Sequence, residues 1–177
     1  PDIPLHASTQ LCVHNKEGAK LAGQLGFRRV VLARELSLED IREITREGGI
    51  EAEVFVHGAL CSSVSGLCLL SSFIGQRSGN RGRCAQPCRL EYNIDGKDAD
   101  HLSMADLCAA QGIPDLIGSG VYSFKIEGRM KNSLYVGGVV REYRRILDAA
   151  MEGKDAPVGY LENLNNYYNR TFTCDYL

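Results

Sequence analysis

The stretch "VYSFKIEGRMKNSLYVGGVVREYRRILDAAMEG", Val121 to Gly153, predicts a β-strand followed by a long amphipathic helix. Its first residues alternate in hydrophobicity as a strand does, and apolar residues then recur at helical spacing. The helical stripe consists of Val136, Val139, Val140, Tyr143, Ile146 and Leu147. A strand followed by a covering helix is the repeating unit of parallel α/β proteins, so the stretch is interpreted as one βα unit.

Three further strands precede this unit. The first, "IPLHAS", is followed by a helix over "NKEGAKLAGQLG" that begins after Asn15. The second, "RRVVLARE", is followed by a helix over "SLEDIREITREGG", in which Ser37 and Asp40 form a capping box and Gly48 marks the end. The third strand is "AEVFVHG". The chain therefore contains four parallel β units.

A long insertion separates the third strand from the fourth. It includes a predicted hairpin, "LEYNIDGKDADHL", with Asp95 and Gly96 at the turn, and it is followed by a short predicted helix, "SMADLCAAQG", capped by Ser103. Long loops in compact domains are usually functional.

The predicted fold class is α/β, as the C-terminal half of a (β/α)8 TIM-like barrel with a cysteine-rich insertion after one strand. Four parallel units alone leave an unpaired sheet edge, whereas a closed barrel has none but needs about 250 residues. The chain has 177 residues. We therefore expect a partial barrel domain over residues 1–153, an insertion over 58–102, a tail over 154–177 that leads out of the barrel, and a missing N-terminal half of the barrel as a partner.

The overall charge is nearly balanced, with 20 Lys and Arg against 22 Asp and Glu. It carries no general signal for a nucleic-acid or membrane binder. No apolar run reaches the roughly 18 residues that a membrane span requires, so no membrane insertion is expected and a cytoplasmic location is predicted. In a reducing compartment, the clustered members of the seven cysteines are more often metal ligands or catalytic groups than disulfides.

Barrel enzymes build their sites where strands end, and polar residues occur there. The candidate catalytic residues are His57 after the third strand and Lys125 and Glu127 after the fourth. Strand alternation predicts that Phe55 and His57 share one face, as do Lys125 and Glu127. The alternative is that these residues are solvated strand ends and structural ion pairs.

Four cysteines lie within "ALCSSVSGLCLLSSFIGQRSGNRGRCAQPCR", Ala59 to Arg89. Cys61, Cys68, Cys84 and Cys88 are separated by six, fifteen and three residues. Four thiolates complete the coordination shell of a 4Fe-4S cluster or of a structural zinc ion. The wide first gap is unlike the short zinc knuckle and favours the cluster. The alternative is a set of buried, reduced cysteines beside a basic loop.

The same segment is rich in arginine and contains no acidic residue between Glu53 and Glu91. Such arginines either offset the negative charge of a thiolate-bound cluster or bind phosphate or carboxylate groups of a substrate. The candidate substrate-binding residues, which include two at strand ends, are Arg34, Arg77, Arg81, Arg83 and Arg129.

Two blocks, "EVFVHGALCSSVSGLCLLSSFIGQRSGNRGRCAQPCR" and "FKIEGRMKNSLYV", closely resemble peptidase family U32, the collagenase-like proteases. The resemblance implies a barrel-like catalytic domain with an oxygen-sensitive 4Fe-4S cluster. It implies oxygen-independent hydroxylation of transfer RNA, ribosomal RNA or a ubiquinone precursor, with prephenate as hydroxyl source for the RNA enzymes. Matching the motif transfers the cluster ligands to Cys61, Cys68, Cys84 and Cys88. The tail "NRTFTCDYL" departs from the family's "NRGFTxGY".

The expected function is therefore that of an iron-sulphur hydroxylase acting on an RNA base or a small quinone precursor. The first alternative is an endopeptidase with a peptide substrate, although neither an H-E-x-x-H nor a G-x-S-x-G motif is found. The second alternative is a zinc-stapled scaffold that binds RNA or a partner chain without chemistry.

Overall fold

The computed structural model describes residues 3–174 and 176–177; Pro1, Asp2 and Asp175 lie outside the described residues. The strands are β1 (His6–Ala7), β2 (Arg29–Val31), β3 (Glu51–Ala59), β4 (Tyr92–Ile94), β5 (Lys97–Ala99), β6 (Asp106–Cys108), β7 (Ser123–Ile126) and β8 (Phe172–Thr173). The helices are α1 (Lys16–Gln24), α2 (Leu38–Glu47), α3 (Leu70–Gly75), α4 (Ile113–Gly118), α5 (Ser133–Met151) and α6 (Tyr160–Asn165).

The four predicted units form a parallel sheet. β1 pairs with β2, β2 with β3, and β3 with β7, all in parallel. The predicted caps of the first two helices are confirmed: the Asn15 side chain accepts from Gly18 N, Ser37 and Asp40 form the capping box of α2, and Gly48 ends that helix. The predicted hairpin is present as β4 and β5.

The predicted helix over residues 103–112 is wrong. Residues 106–108 form β6, which pairs antiparallel with the end of β3 and parallel with β8. β3 extends beyond its pairing with β2, and its last residues, His57 to Ala59, have free backbone groups that β6 satisfies. Tertiary pairing thus overrides the local helical pattern, and a single 3-10 turn separates β6 from α4.

The core lies on one face of the sheet. Ala52, Val54 and Val56 alternate along β3 and are buried, whereas Glu53 and Phe55 point the other way and are only partly buried. β3 contacts α2, and α4 and α6 both contact α5. The less buried face, the polar face of the sheet, carries Glu51 and Glu53.

The apolar stripe of α5 is shifted from the predicted one. Val139, Tyr143 and Ile146 are buried as expected, but Val136 and Val140 are exposed to solvent. The other buried positions of α5 are Tyr135, Gly138 and Glu142. Gly138 is buried because the Tyr167 ring lies directly over it. The buried Glu142 carboxylate accepts hydrogen bonds from Arg145 and Asn163.

Residues 154–177 pack back onto the domain through α6, whose Leu164 is fully buried, and through β8. The chain is a mixed α/β structure with a parallel sheet; the half-barrel and the domain boundaries stay predictions. Among the described residues, no helix is both long and apolar enough to cross a membrane.

Candidate metal centre and adjoining cavity

All four cysteines of the predicted ligand set line one cavity of about 190 Å3 beyond the end of β3. Cys61, Cys68, Cys84 and Cys88 are each partly exposed, and none is in a disulfide. Two aromatic and apolar side chains, Phe55 and Val64, contribute to the same wall. The fold therefore brings together cysteines that span 28 positions of sequence.

Local hydrogen bonds stabilise the conformation of the cysteine segment, Ala59 to Arg89. Ser71 Oγ accepts from Ala85 N at 2.9 Å, which joins α3 to the second pair of cysteines. Gln86 N donates to Cys84 Sγ at 3.3 Å. A side chain at Gly79 would contact both the Cys68 carbonyl oxygen and the Cys84 Cβ at 3.7 Å, so this residue lies between two of the cysteines.

The loops after β1 and β2 contact the cysteine segment between Cys61 and Cys68. Glu35 Oε1 accepts from Ser65 N at 2.5 Å, and Ser65 is fully buried. Gly66 has a φ of +80°, and a Cβ there would lie 2.7 Å from the Gln10 carbonyl oxygen. This close approach requires glycine, which tolerates both the conformation and the contact.

Two buried polar atoms that belong to residues of the cavity wall have no partner in the described structure: Thr9 Oγ1 and Arg34 Nε. An unpaired buried donor is costly unless a ligand satisfies it. A hydroxyl and a guanidinium N–H suit thiolate, sulfide or carboxylate acceptors. The donor set of the cavity therefore fits an anionic thiolate-bound group.

Among the described residues, no three His, Cys, Asp or Glu side chains form a group that could hold a single metal ion. The four thiols line the wall of the cysteine cavity. A tetrahedral zinc site requires sulfur atoms about 3.8 Å apart, from a Zn–S bond of about 2.3 Å. A polynuclear cluster places each thiolate on a different metal atom and needs no such convergence.

Three arginines of the region donate to backbone carbonyls. Arg77 Nε donates to the Arg83 carbonyl oxygen at 3.1 Å. Arg89, whose side chain is 6% exposed, donates to the Leu60 carbonyl oxygen at 2.5 Å and lies 3.8 Å from the Asp106 carboxylate. Arg129, predicted at a strand end, also donates into the cysteine segment, at Gly82 and Cys84.

The other predicted arginines are placed differently. Arg34 lines the cavity, and its guanidinium lies 5.3 Å from the centre of the Phe55 ring. Arg81 and Arg83 are exposed, and their guanidinium groups make no hydrogen bond or ion pair within the described part of the chain. The substrate-binding role of these residues stays a prediction.

Glu127 follows β7 and lies on the wall of the cysteine cavity. Its backbone N–H donates to the His57 carbonyl oxygen at 2.8 Å, and its Oε1 accepts from Arg129 N at 3.0 Å. Gly58 permits this approach: its φ is +104°, and a Cβ there would lie 2.4 Å from the Glu127 carbonyl oxygen. The glutamate is thus fixed by β3 on one side and by its own loop on the other.

Lys125 is not among the residues that line the cysteine cavity. Its ammonium is 3.4 Å from the Glu53 carboxylate and 5.4 Å from the centre of the Phe55 ring. Glu53 also accepts from Ser123 and lies 3.7 Å from Arg29. Lys125 therefore belongs to an ion-pair network on the polar face of the sheet, and it does not line the cysteine cavity.

His57 is buried in an aromatic enclosure. Its Nδ1 lies 3.2 Å from the Tyr143 hydroxyl oxygen, and its ring is 5.4 Å from that of Phe172. Burial lowers the pKa of His57 to about 4, so the ring is neutral. The register of β3 against β7 shifts between Phe55 and His57, and His57 is buried whereas Phe55 is only partly buried, so the two side chains predicted to share a face have different surroundings.

A second cavity of about 510 Å3 adjoins the first, and sequence reasoning missed it. The two cavities share Ala59, Gln86 and Glu127 as a common wall. The larger one is lined by Lys131 and by Asn166, Tyr167, Tyr168 and Arg170 of "NNYYNR", 165–170. The adjacent tyrosines and asparagines of that motif were the sequence feature that could have indicated this cavity.

The remaining cysteines lie elsewhere. Cys108 is buried in β6 rather than on a helix, and burial raises the pKa of its thiol. Cys174 is exposed. Cys12 Sγ lies 4.0 Å from His14 Nδ1, but that nitrogen is 2.8 Å from the Cys12 carbonyl oxygen and is therefore occupied by the backbone.

Comparison with known sequences gives consistent matches over nearly the whole chain. The model of peptidase family U32 matches residues 1–177. The chain is 44% identical to the 23S rRNA 5-hydroxycytidine C2501 synthase of Escherichia coli, over 86% of this chain and 24% of that protein. It is 39% identical to the tRNA hydroxylation protein P1 of Bacillus subtilis, over 96% of this chain and 44% of that protein.

A relative with a different name matches as well. The chain is 34% identical to the collagenase of Porphyromonas gingivalis, over 96% of this chain and 46% of that protein. It thus spans less than half the length of each of these three relatives. No solved structure matches.

Proposed function

Since the chain belongs to peptidase family U32, we propose that it carries the metal-binding part of an oxygen-independent hydroxylase that acts on an RNA base. In this proposal Cys61, Cys68, Cys84 and Cys88 hold a 4Fe-4S cluster. The observation that carries the proposal is the common cavity of the four thiols, which lies beside Glu127 and the unpaired Arg34 Nε. Relatives named for tRNA and rRNA hydroxylation support the reaction class.

A bound 4Fe-4S cluster would supply electron transfer or Lewis acidity beside the substrate. The residues of the chain have separate tasks. Arg34 and Thr9 donate hydrogen bonds into the cavity and stabilise negative charge there. Glu127 accepts or releases a proton at its carboxylate, between the two cavities. Arg129 and Arg89 hold the cysteine segment against the ends of β7 and β3.

Prephenate is proposed as the hydroxyl-supplying co-substrate only on the strength of the family resemblance. A dicarboxylate requires cationic donors, and Arg34 offers an unpaired buried N–H at the cysteine cavity. The exposed, unpaired guanidinium groups of Arg81 and Arg83 add positive charge on the same segment. A cytoplasmic location follows from the proposed RNA substrate.

The peptidase alternative has the weaker support. It rests on the names of relatives such as the collagenase and an uncharacterised protease of Methanocaldococcus jannaschii. The contact between Cys12 and His14 does not form a nucleophile and base pair, because the histidine nitrogen nearest the thiol is engaged by a backbone carbonyl. A quinone precursor remains the alternative substrate of a hydroxylase.

The test is a comparison of modified nucleosides in cells that lack the gene and in cells rescued with it. We expect one hydroxylated nucleoside to be missing from tRNA or rRNA of the deletion strain, as measured by mass spectrometry, and to return with the parent gene but not with Cys61→Ala. The full-length protein, purified without oxygen, should contain about four iron and four sulfide per chain. An unchanged nucleoside profile together with robust proteolysis by the purified protein would reject the hydroxylase in favour of the peptidase.

A further inference from the structure

The larger cavity shares Ala59, Gln86 and Glu127 with the cysteine cavity. Its volume of about 510 Å3 lies within the range of pockets that bind small organic ligands, about 300 to 1,000 Å3. A ligand bound there would reach the cysteine cavity across a single layer of side chains. The cavity is therefore placed for a substrate rather than for a structural role.

Cations and aromatic rings line this cavity together. Lys131 lies 3.8 Å from the centre of the Tyr168 ring and 5.0 Å from that of Tyr135. Arg170 lies 5.6 Å from the centre of the Tyr168 ring. Tyr168 is 62% exposed, so part of its ring is accessible to a ligand.

The positive charge in the cavity is only partly compensated within the chain. Arg170 lies 3.5 Å from the buried Asp106 carboxylate, which Arg89 also approaches at 3.8 Å. Lys131 makes no ion pair in the described part of the chain, and its ammonium lies over two tyrosine rings. Burial lowers its pKa, and the charges of Arg170 and Arg89 lower it further, whereas Asp106 and Glu127 oppose this. An anion beside Lys131 would relieve the repulsion.

Amide groups complete the lining. Asn132, Asn166 and Gln86 border the cavity. Asn132 Oδ1 accepts from Tyr135 N as the cap of α5, which leaves its NH2 group as a donor, and the amides of Asn166 and Gln86 carry both donors and an acceptor. Amides of this kind pair with the edges of nucleobases, and tyrosine rings stack on their faces. Cationic side chains bind the phosphates that accompany each base.

We propose that this larger cavity binds one unpaired nucleotide of an RNA strand, with the base against Tyr168 and the phosphate at Lys131 and Arg170. This inference rests on the proposed function and identifies where the RNA substrate enters. Bases that are modified in enzymes leave their stack and occupy a pocket beside the reacting groups. Glu127 and Gln86, which face both cavities, then border the base on the side of the cysteines. A quinone ring with an apolar tail would leave the amides and Lys131 unpaired.

The experiment measures RNA binding by the full-length protein purified without oxygen. The probes are a short fluorescein-labelled single-stranded RNA and cytidine monophosphate. We expect Tyr168→Ala and Lys131→Met each to weaken RNA binding about tenfold, because the first removes the ring on which the base stacks and the second removes a phosphate contact. Lys131→Met should also reduce the salt dependence of binding. Iron content should remain that of the parent.

Matched controls lie outside the cavity. Tyr122 is an exposed tyrosine with Arg29 over its ring at 4.5 Å, at the amino end of β7, and Lys154 is a 70% exposed lysine after α5. Tyr122→Ala and Lys154→Met should retain parental affinity. An RNA carrying 5-iodouridine should cross-link on irradiation to the tryptic peptide that ends at Arg170.

The outcomes separate this inference from the function on which it rests. Parental RNA affinity in both cavity variants, or a cross-link confined to the cysteine segment, would overturn the inference. If the deletion strain lacks a hydroxylated nucleoside and Tyr168→Ala restores it fully, the cavity assignment is wrong while the hydroxylase stands. If the deletion strain lacks no nucleoside, the hydroxylase is wrong, and the cross-link alone then decides whether the cavity binds RNA.

Discussion

Arg129 donates a hydrogen bond from its guanidinium to the Cys84 carbonyl oxygen at 2.5 Å. A second bond of 2.7 Å reaches the Gly82 carbonyl oxygen, and the backbone N–H of the same arginine donates to Glu127. One residue thus joins the loop after β7, which carries the proposed proton-handling carboxylate, to the segment that carries the proposed cluster ligands.

Arg129→Ala should loosen the cysteine segment. Each charge-assisted bond to a carbonyl contributes about 1 kcal/mol at an exposed position, so the variant should retain less iron and be cut faster by protease within residues 77–88. The measurements are iron content after anaerobic purification and the rate of limited proteolysis. Arg81→Ala is the matched control, because the exposed Arg81 side chain makes no hydrogen bond within the described structure. Equal effects of the two substitutions would remove the anchoring role of Arg129.

Single substitutions of the cavity cysteines should each remove most of the iron. Cys61→Ala, Cys68→Ala, Cys84→Ala and Cys88→Ala all delete a thiol that lines the cavity. Cys174→Ala should leave the iron and the visible absorption unchanged, because this exposed cysteine lies in the tail. Full iron in any of the four variants would exclude that cysteine as a cluster ligand. Stoichiometric zinc in a colourless parent protein would instead support the zinc-binding scaffold.

The order of the strands could be predicted from the sequence because each parallel unit carries its own local signals. The capping box at Ser37 and Asp40 and the side-chain cap at Asn15 are examples that the structure confirms. β6 could not be predicted this way. Its three residues are a strand only because the end of β3, far away in sequence, presents unpaired backbone groups.

The candidate site divides in the same manner. The common cavity of the four cysteines was predictable, because all four lie within one segment of 28 residues. The surroundings of His57 were not predictable, because the register of β3 shifts beside this residue where β3 pairs with β7. The second cavity was missed because it forms between α5 and a tail segment that had been expected to lead away from the domain.

The buried His57 should make the stability of the fold depend on pH. Its pKa is about 4 in the folded state against 6.5 in the unfolded chain, so the unfolded chain binds the proton first as the pH falls. The stability is full above pH 6.5 and is lost between pH 6.5 and 4, by about 2 kcal/mol between pH 7 and 5. We expect His57→Gln to lose about 2 kcal/mol less over that interval, as measured by urea unfolding at both pH values.

Comparing the two proteins removes the contributions of carboxylates and of bound metal, which are common to both. Parallel pH profiles of the parent and His57→Gln would mean that the ring is not held neutral in the fold. His101, on the exposed loop after β5, provides the control, and His101→Gln should leave the profile of the parent unchanged.

Glu127→Gln should separate the two enzyme classes. The substitution keeps the shape of the side chain and the acceptor that Arg129 N uses, but it removes the charge and the ability to take a proton. Because Glu127 lies on the wall shared by the cysteine cavity and the proposed nucleotide cavity, we expect the missing nucleoside to stay absent from rescued cells, with a rate at least 100-fold lower, at about the scale of general acid–base catalysis. Iron content and visible absorption should match the parent, since no cluster ligand is changed.

Glu53→Gln is the control: it removes an equivalent carboxylate that pairs with Lys125 outside both cavities, and it should retain nucleoside hydroxylation. In a peptidase the same Glu127→Gln variant would instead abolish cleavage of gelatin or casein by purified protein. Loss of proteolysis, with no nucleoside missing from the deletion strain, would move the assignment to that class.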